Sequence, residues 1–192
     1  MWYAVQNASG KEKMISRQLE GEFFGLDGEW RELFCVKKKR YQGMWHDERE
    51  RFLPGYVFFV TRIPYMGNQI PTLENTDPLK CCMISGQIDE FRPITHEEEQ
   101  FLIKITGGKD EVDMSYGVIC ENVLSIYEGP LTGMESRVRK IDRHKRKGLI
   151  SMNLCGKENL VEVGLEITKK TYKTYAYPNI LNGSGKAAGC GT

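Results

Sequence analysis

Arg51-Phe-Leu-Pro-Gly-Tyr-Val-Phe-Phe-Val60 decides how this chain is read. A charged run, His46-Asp-Glu-Arg-Glu-Arg51, stops where it begins. The aromatic and β-branched residues that follow favour a strand buried on both faces. Pro54-Gly55 falls near its start, where a missing amide donor and a missing Cβ are tolerated, as at an edge or bulge. The plain reading of the stretch alone is a core strand.

Upstream, Trp2 to Gln6 reads as a first strand and Asn7-Ala-Ser-Gly10 as a turn, with Ser9 as a helix cap. From Lys11 to about Phe24, Ile15, Leu19 and Phe23 recur at i, i+4, i+8, one apolar stripe of a helix. Gly25-Leu-Asp-Gly28 ends it. Glu32 to Val36 reads as a second strand running into Lys37-Lys-Lys-Arg40. A turn or mobile hairpin tip through about Glu50 then leads into the organising strand. The basic run has two readings, a solvated strand end or a patch that meets an acidic surface.

Downstream, Pro64, Gly67 and Pro71 break periodicity. A short helix over 69–74 and a strand from Leu79 to Ile84 are expected. Pro93-Ile-Thr95 opens a helix, with Thr95 and Glu98 spaced as a capping box and Phe101, Leu102 and Ile105 as its apolar face. Strands interleaved with helices in this order make an α+β sandwich over 1–106. Gly107 to Asp113 is Gly-rich and acidic, and 107–116 reads as a linker. From 117 to 170 helical periodicity is replaced by short strands at Val123–Tyr127, Glu135–Arg143, Leu149–Leu154, Leu160–Val163 and Glu166–Thr168. Turns at Gly133, Gly148, Gly156 and Gly164 separate them, a spacing that suits a small five-stranded barrel. Residues 171–192 read as a flexible tail whose Gly-rich end resembles low-complexity linker or a cloning scar.

Bulk properties narrow the function. The 192 residues carry a net charge of +1, so the overall field selects no partner. The halves differ: 1–106 hold 14 Lys/Arg against 16 Asp/Glu, and 117–170 hold 10 against 7. Most of the excess lies in Arg137, Arg139, Lys140, Arg143, Lys145, Arg146 and Lys147, with His144 among them and Asp142 opposing. On a hairpin, Arg137 and Arg139 would share a face and the loop from Asp142 to Gly148 would project the rest. A phosphate backbone is one natural partner; a solubilising tip is the other reading. Six cysteines form no Cys-x-x-Cys pair, so neither zinc nor a dense disulfide framework is expected, and reduced thiols in a cytoplasm are the simplest reading. The opening Met-Trp-Tyr-Ala-Val has no signal-peptide character, and no run is long enough to span a membrane. His46 with Asp47 and Glu48, and His96 with Glu97, Glu98 and Glu99, are the only acid–base candidates. They stand in charged runs where no desolvation tunes a pKa, and no nucleophile–base spacing or phosphate loop accompanies them. The chain reads as a non-enzyme without cofactor or metal.

Three segments in order carry a resemblance. Trp2-Tyr-Ala-Val-Gln6 followed by Ser9-Gly-Lys-Glu12 resembles the opening strand and helix of the NusG N-terminal (NGN) domain. Phe52-Leu-Pro-Gly-Tyr-Val-Phe58 resembles that family's Leu-Phe-Pro-Gly-Tyr-Val-Phe strand. Glu128-Gly-Pro-Leu-Thr-Gly133, Val138-Arg-Lys-Ile-Asp142 and Val161-Glu-Val163 resemble its closing KOW β-barrel. Departures are Phe52-Leu53 in place of Leu-Phe, Ser136 where glycine is usual, and a richer basic hairpin. They make the chain resemble a specialised paralogue, most like the LoaP group of antiterminators, with RfaH-like proteins as the broader class.

The resemblance implies a monomeric, cytoplasmic, non-catalytic elongation factor. Its NGN domain would dock on the clamp helices of the largest RNA polymerase subunit through Tyr3, Leu53, Pro54, Tyr56 and Phe58, with Val57 and Phe59 turned to its own core. Its KOW domain would grip a structured hairpin in the nascent RNA through Arg143, His144, Lys145, Arg146 and Lys147, backed by Arg137, Arg139 and Lys140, and DNA in the transcription bubble is a further partner. The alternative is a housekeeping NusG-type factor whose KOW domain binds Rho or a ribosomal protein, with Leu131, Leu154 and Cys155 at the corresponding loops. A ribosome-associated KOW protein is a third reading, which leaves the NGN-like half without a role.

Overall fold

The computed structural model describes residues 1–7, 10–22, 27–62 and 88–171. The expected helix at 69–74, the strand at Leu79–Ile84 and the tail beyond 171 lie outside them. The first sheet is antiparallel and holds β1 (Trp2–Asn7), β2 (Gly28–Arg31), β5 (Tyr56–Thr61) and β6 (Ile88–Pro93), in the order β2-β5-β1-β6. β1 and β5 are its centre, paired from Trp2–Val60 to Gln6–Tyr56. Alternation puts Trp2, Ala4, Tyr56 and Phe58 on one face and Tyr3, Val5, Val57 and Phe59 on the other. Both sets are buried, as a central strand of aromatic and β-branched residues demands. The first face packs Trp2 edge-on to Phe58, ring centroids 5.7 Å apart; the second packs Trp30 of β2 against Phe59 at 4.9 Å. Helix α1 (Glu12–Glu22) lies against β2 and β5, with Ile15 and Leu19 fully buried. Helix α2 (His96–Thr106) adds Leu102 and Ile105 to the core that contains Trp2, Ala4 and Phe58.

The expected local signals at α2 hold. Thr95 accepts from the Glu98 amide, the Glu98 carboxylate accepts from the Thr95 amide, and Gly107 closes the helix in the left-handed conformation. Other expectations are corrected. β5 begins at Tyr56, and Phe52 to Gly55 form a turn, closed by the Tyr56 amide on the Leu53 carbonyl at 3.1 Å. The stretch before it is not a mobile tip but a full hairpin, β3 (Phe34–Tyr41) and β4 (Met44–Arg51), joined by Gln42-Gly43. β2 and β6 were not foreseen. β7 (Glu111–Val112), inside the stretch expected as a linker, pairs parallel to the start of β3, giving a second sheet in the order β4-β3-β7.

The third sheet has five strands: β8 (Ser115–Cys120), β9 (Val123–Glu128), β10 (Val138–Asp142), β11 (Lys147–Leu154) and β12 (Lys157–Thr171). Their order is β10-β11-β12-β8-β9, with β12 and β8 parallel. β9 and β10 are its edges and do not pair with each other, so the sheet is open. The two strands expected on either side of Gly164 are one strand, β12, and β8 was not foreseen. Gly164 is no turn. A Cβ there would collide with the Val36 carbonyl and the Met114 sulfur, so glycine marks where β12 passes close to β3. One apolar cluster runs through all three sheets, from Trp2 and Phe58 through Cys35 and Val112 to Ile150, Val163 and Leu165.

Glu12 ties the organising turn to α1. Its carboxylate is fully buried, accepts from the amides of Gly10 (2.9 Å) and Gly55 (2.7 Å), and lies 3.4 Å from the Arg51 guanidinium. Burial pushes this carboxyl up, but the two amides and Arg51 outweigh burial and hold it below the ordinary 4.5. A lowered folded value means the contribution is complete above pH 4.5 and is lost as pH falls through that lowered value. Glu12→Ala strands the Gly55 amide and should cost about 2–3 kcal/mol in urea unfolding at pH 7. Glu12→Gln should flatten the acid limb of the stability–pH curve.

Candidate functional site

The basic run of β3 faces an acidic run within its own hairpin. Lys37 pairs with Glu50 at 2.9 Å, Lys38 with Asp47 at 2.8 Å and Lys39 with Glu48 at 2.9 Å. Neither expected reading of that run holds as stated: its first three cations are neither free in solvent nor offered to a partner, but are matched by the next strand of the same chain. Lys37 is buried, and its ammonium also lies 3.6 Å from Glu162 of β12, which Lys147 reaches at 3.1 Å. Lys147 holds Glu162 below the ordinary carboxylate range, chiefly by that hydrogen bond, and Lys37 does the same for Glu50. Beside them the Cys35 thiol, pushed up to about 11 mainly by burial, stays protonated and donates weakly to the Glu162 carbonyl at 3.7 Å.

A second contact joins the β10–β11 turn to the hairpin. Asp142 accepts from the Lys145 amide at 3.0 Å, and this bond holds its carboxyl below the usual range. Arg146 sits at φ 52°, a left-handed conformation that costs a non-glycine residue about 1–2 kcal/mol. Its guanidinium lies 4.2 Å from the Trp45 ring centroid and 3.1 Å from Glu166, and its carbonyl accepts from the Leu165 amide at 3.1 Å. The cation–π contact and the ion pair offset the strained backbone. A third contact lies at the start of α2, where Glu98 accepts from the Gly156 amide at 3.3 Å and the Arg137 guanidinium sits 4.7 Å from the Phe101 ring centroid.

The eight expected RNA-contacting residues thus divide. Lys140, Arg143, His144 and Lys145 are exposed around the turn, and Lys140, Arg143 and Lys145 have no ion pair among the described residues. Arg146 and Lys147 are committed to Glu166 and Glu162. Arg139 donates to Ser151 at 2.9 Å and approaches Glu158 at 3.6 Å. Arg137 falls in a 3-10 turn (Glu135–Arg137) ahead of β10, so it does not share a strand face with Arg139. Of the five expected polymerase-contacting residues, Tyr56 and Phe58 lie on the first face, Leu53 of the turn joins the same core, Tyr3 is on the opposite face, and Pro54 alone is exposed. Val57 and Phe59 are buried as expected, but so are Tyr56 and Phe58. Leu131, Leu154 and Cys155, the loop residues of the housekeeping alternative, are also buried.

Sequence reasoning missed Trp45, Glu162 and Glu166. The signal for Trp45 was an aromatic residue immediately before a charged run; the two glutamates alternate with Val161, Val163 and Leu165, a period-2 pattern cut short by reading Gly164 as a turn. His46, weighed as an acid–base group, stacks on Tyr41 with ring centroids 3.7 Å apart. No described helix is long and apolar enough to cross a membrane.

The described residues thus form an α+β chain with a Pro54-Gly55 turn, exposed at Pro54 and held by Glu12, and an exposed cationic turn between β10 and β11. Residues 1–101 match the family model described as NusG, transcription termination factor nusG. That is more than half of the 192 residues, and the chain belongs to the NusG family of non-catalytic transcription factors, which bind RNA polymerase. A comparison with curated proteins finds no match.

Gly164→Ala should force β12 away from Val36 and cost about 1–3 kcal/mol in urea unfolding. Hydrogen exchange at β3 amides should rise with it; unchanged protection there would separate Gly164 from the junction.

Proposed function

We propose that this chain is a transcription elongation and antitermination factor of the LoaP type. In this reading residues 1–106 form an NGN unit that binds the polymerase clamp, 107–116 connect, and 117–170 form a KOW unit that binds a structured nascent RNA. Tyr3, Leu53, Pro54, Tyr56 and Phe58 belong to the polymerase-binding region, with Pro54 at its surface, Leu53, Tyr56 and Phe58 in the core behind the turn, and Tyr3 on the opposite face of the sheet. The family match supports the polymerase half. The observation that carries the RNA half is the exposed set Lys140, Arg143, His144 and Lys145 on a turn braced by Asp142 and Arg146. Cations fixed on a rigid turn suit the phosphates of a folded RNA, whose shape carries much of the selectivity. Polymerase and transcript are tethered to each other, so two modest contacts reinforce one another through effective concentration.

Two measurements on the full chain test this. Arg143→Glu with Lys145→Glu should weaken binding of a labelled leader-RNA hairpin about tenfold or more at 0.1 M salt and lower the salt slope by about 2. Pro54→Arg, at an exposed site, should leave the urea midpoint unchanged and abolish co-purification with core polymerase. Parent-like RNA affinity in the first variant sinks the RNA assignment, and parent-like polymerase binding in the second sinks the docking surface.

A further inference from the structure

The cationic turn is not isolated from the first half of the chain. Arg40 of β3 stands directly across from Trp45 of β4, so the two share one face of the hairpin with Lys38 and Asp47. Cross-strand partners of this kind have Cβ atoms about 4.5–5.5 Å apart. Arg146, from the β10–β11 turn, lies over the same Trp45 ring. Trp45 is therefore the point at which the turn and the hairpin meet, while the backbone bond from the Leu165 amide to the Arg146 carbonyl holds the turn to β12.

Charge accounting around this point is uneven. Asp47 is matched by Lys38, Glu166 by Arg146, and Glu162 by Lys147 and Lys37. Arg40, Arg143 and Lys145 are exposed and make no ion pair among the described residues. Asp142 lies beside Lys145 and His144 in the turn and offsets them in part, but the two stretches still bring an excess of exposed cations to the neighbourhood of the Trp45–Arg146 contact.

We propose that the RNA-binding surface is composite: it continues from the β10–β11 turn across Arg146 and Trp45 onto Arg40 of the β3–β4 hairpin. Arg40 contacts RNA phosphate, and Trp45 is a positioning residue that holds Arg146 and so sets the spacing between Arg40 and the turn. This rests on the RNA reading above but adds a contact from the half assigned to polymerase.

The test is fluorescence anisotropy of the full chain with a labelled RNA hairpin, the same strand unfolded, and duplex DNA of equal length, over a salt series. Arg40→Glu should weaken hairpin binding about tenfold and lower the salt slope by about 1, with Arg40→Gln weakening it about threefold. Lys11→Glu, at an exposed cation just ahead of α1, should change affinity less than twofold and serves as the net-charge control. Equal effects of Arg40→Glu and Lys11→Glu, with Lys145→Glu still damaging, would overturn the composite surface and leave the RNA reading standing. No effect of either Arg40→Glu or Lys145→Glu would overturn both. Tighter binding of duplex DNA than of the RNA hairpin would overturn RNA as the occupant.

Discussion

Lys37 carries its charge almost out of water, and the molecule is arranged so that it can. Taking an ammonium out of water costs several kcal/mol unless carboxylates meet it in good geometry. Glu50 meets it from the neighbouring strand and Glu162 from β12, a strand that begins more than a hundred residues later. That shared cation fixes how β12 crosses β3. The supporting contacts fall beside it: Cys35 reaches the Glu162 carbonyl, and Gly164 lets the two backbones approach. The same crossing makes the apolar cluster continuous between the first sheet and the third.

The hairpin β3–β4 shows why local composition alone misleads about partners. Four consecutive cations look like bait for an acidic molecule, yet three are neutralised within the hairpin by pairs at 2.8–2.9 Å. What remains outward is Arg40, at the rung shared with Trp45. At the β10–β11 turn the acids are fewer: Asp142, at the surface, accepts from the Lys145 amide and lies beside the Lys145 and His144 side chains. The surface field is the remainder after such internal cancellation, and it is set by which cations the fold leaves unmatched.

Much of the first half was legible because its signals are local. The β1 and β5 runs are apolar enough to admit only a central position, and the Thr95–Glu98 capping box states where α2 begins. β2 and β6 were not legible: β2 is four residues with exposed Gly28 and Glu29, and β6 carries adjacent Asp89 and Glu90, which break the alternation that marks a strand, and is paired only with β1 among the described residues. β4 was hidden because its stability comes from cross-strand ion pairs, which appear only once Lys38 is set opposite Asp47. Gly164 was misread since glycine serves both turns and close approaches, and nothing adjacent in sequence tells the two apart. The cations of the proposed RNA surface were visible as a cluster; which of them are spent on Glu162, Glu166 and Trp45 depends on contacts with residues distant in the chain.

β12 runs for fifteen residues without a break and serves two masters along its length. Its register with β11 places Val161 and Val163 in the core, while Glu162 and Gly164, between and beside them, address β3. A strand repeats every two residues, so losing or gaining one residue at its middle exchanges inward and outward side chains over the rest. Valine would then replace the carboxylate beside Lys37, and glutamate would enter the interior. Among relatives of this chain, variation in length should accumulate in the loops and leave this segment's residue count untouched, even where its individual residues drift.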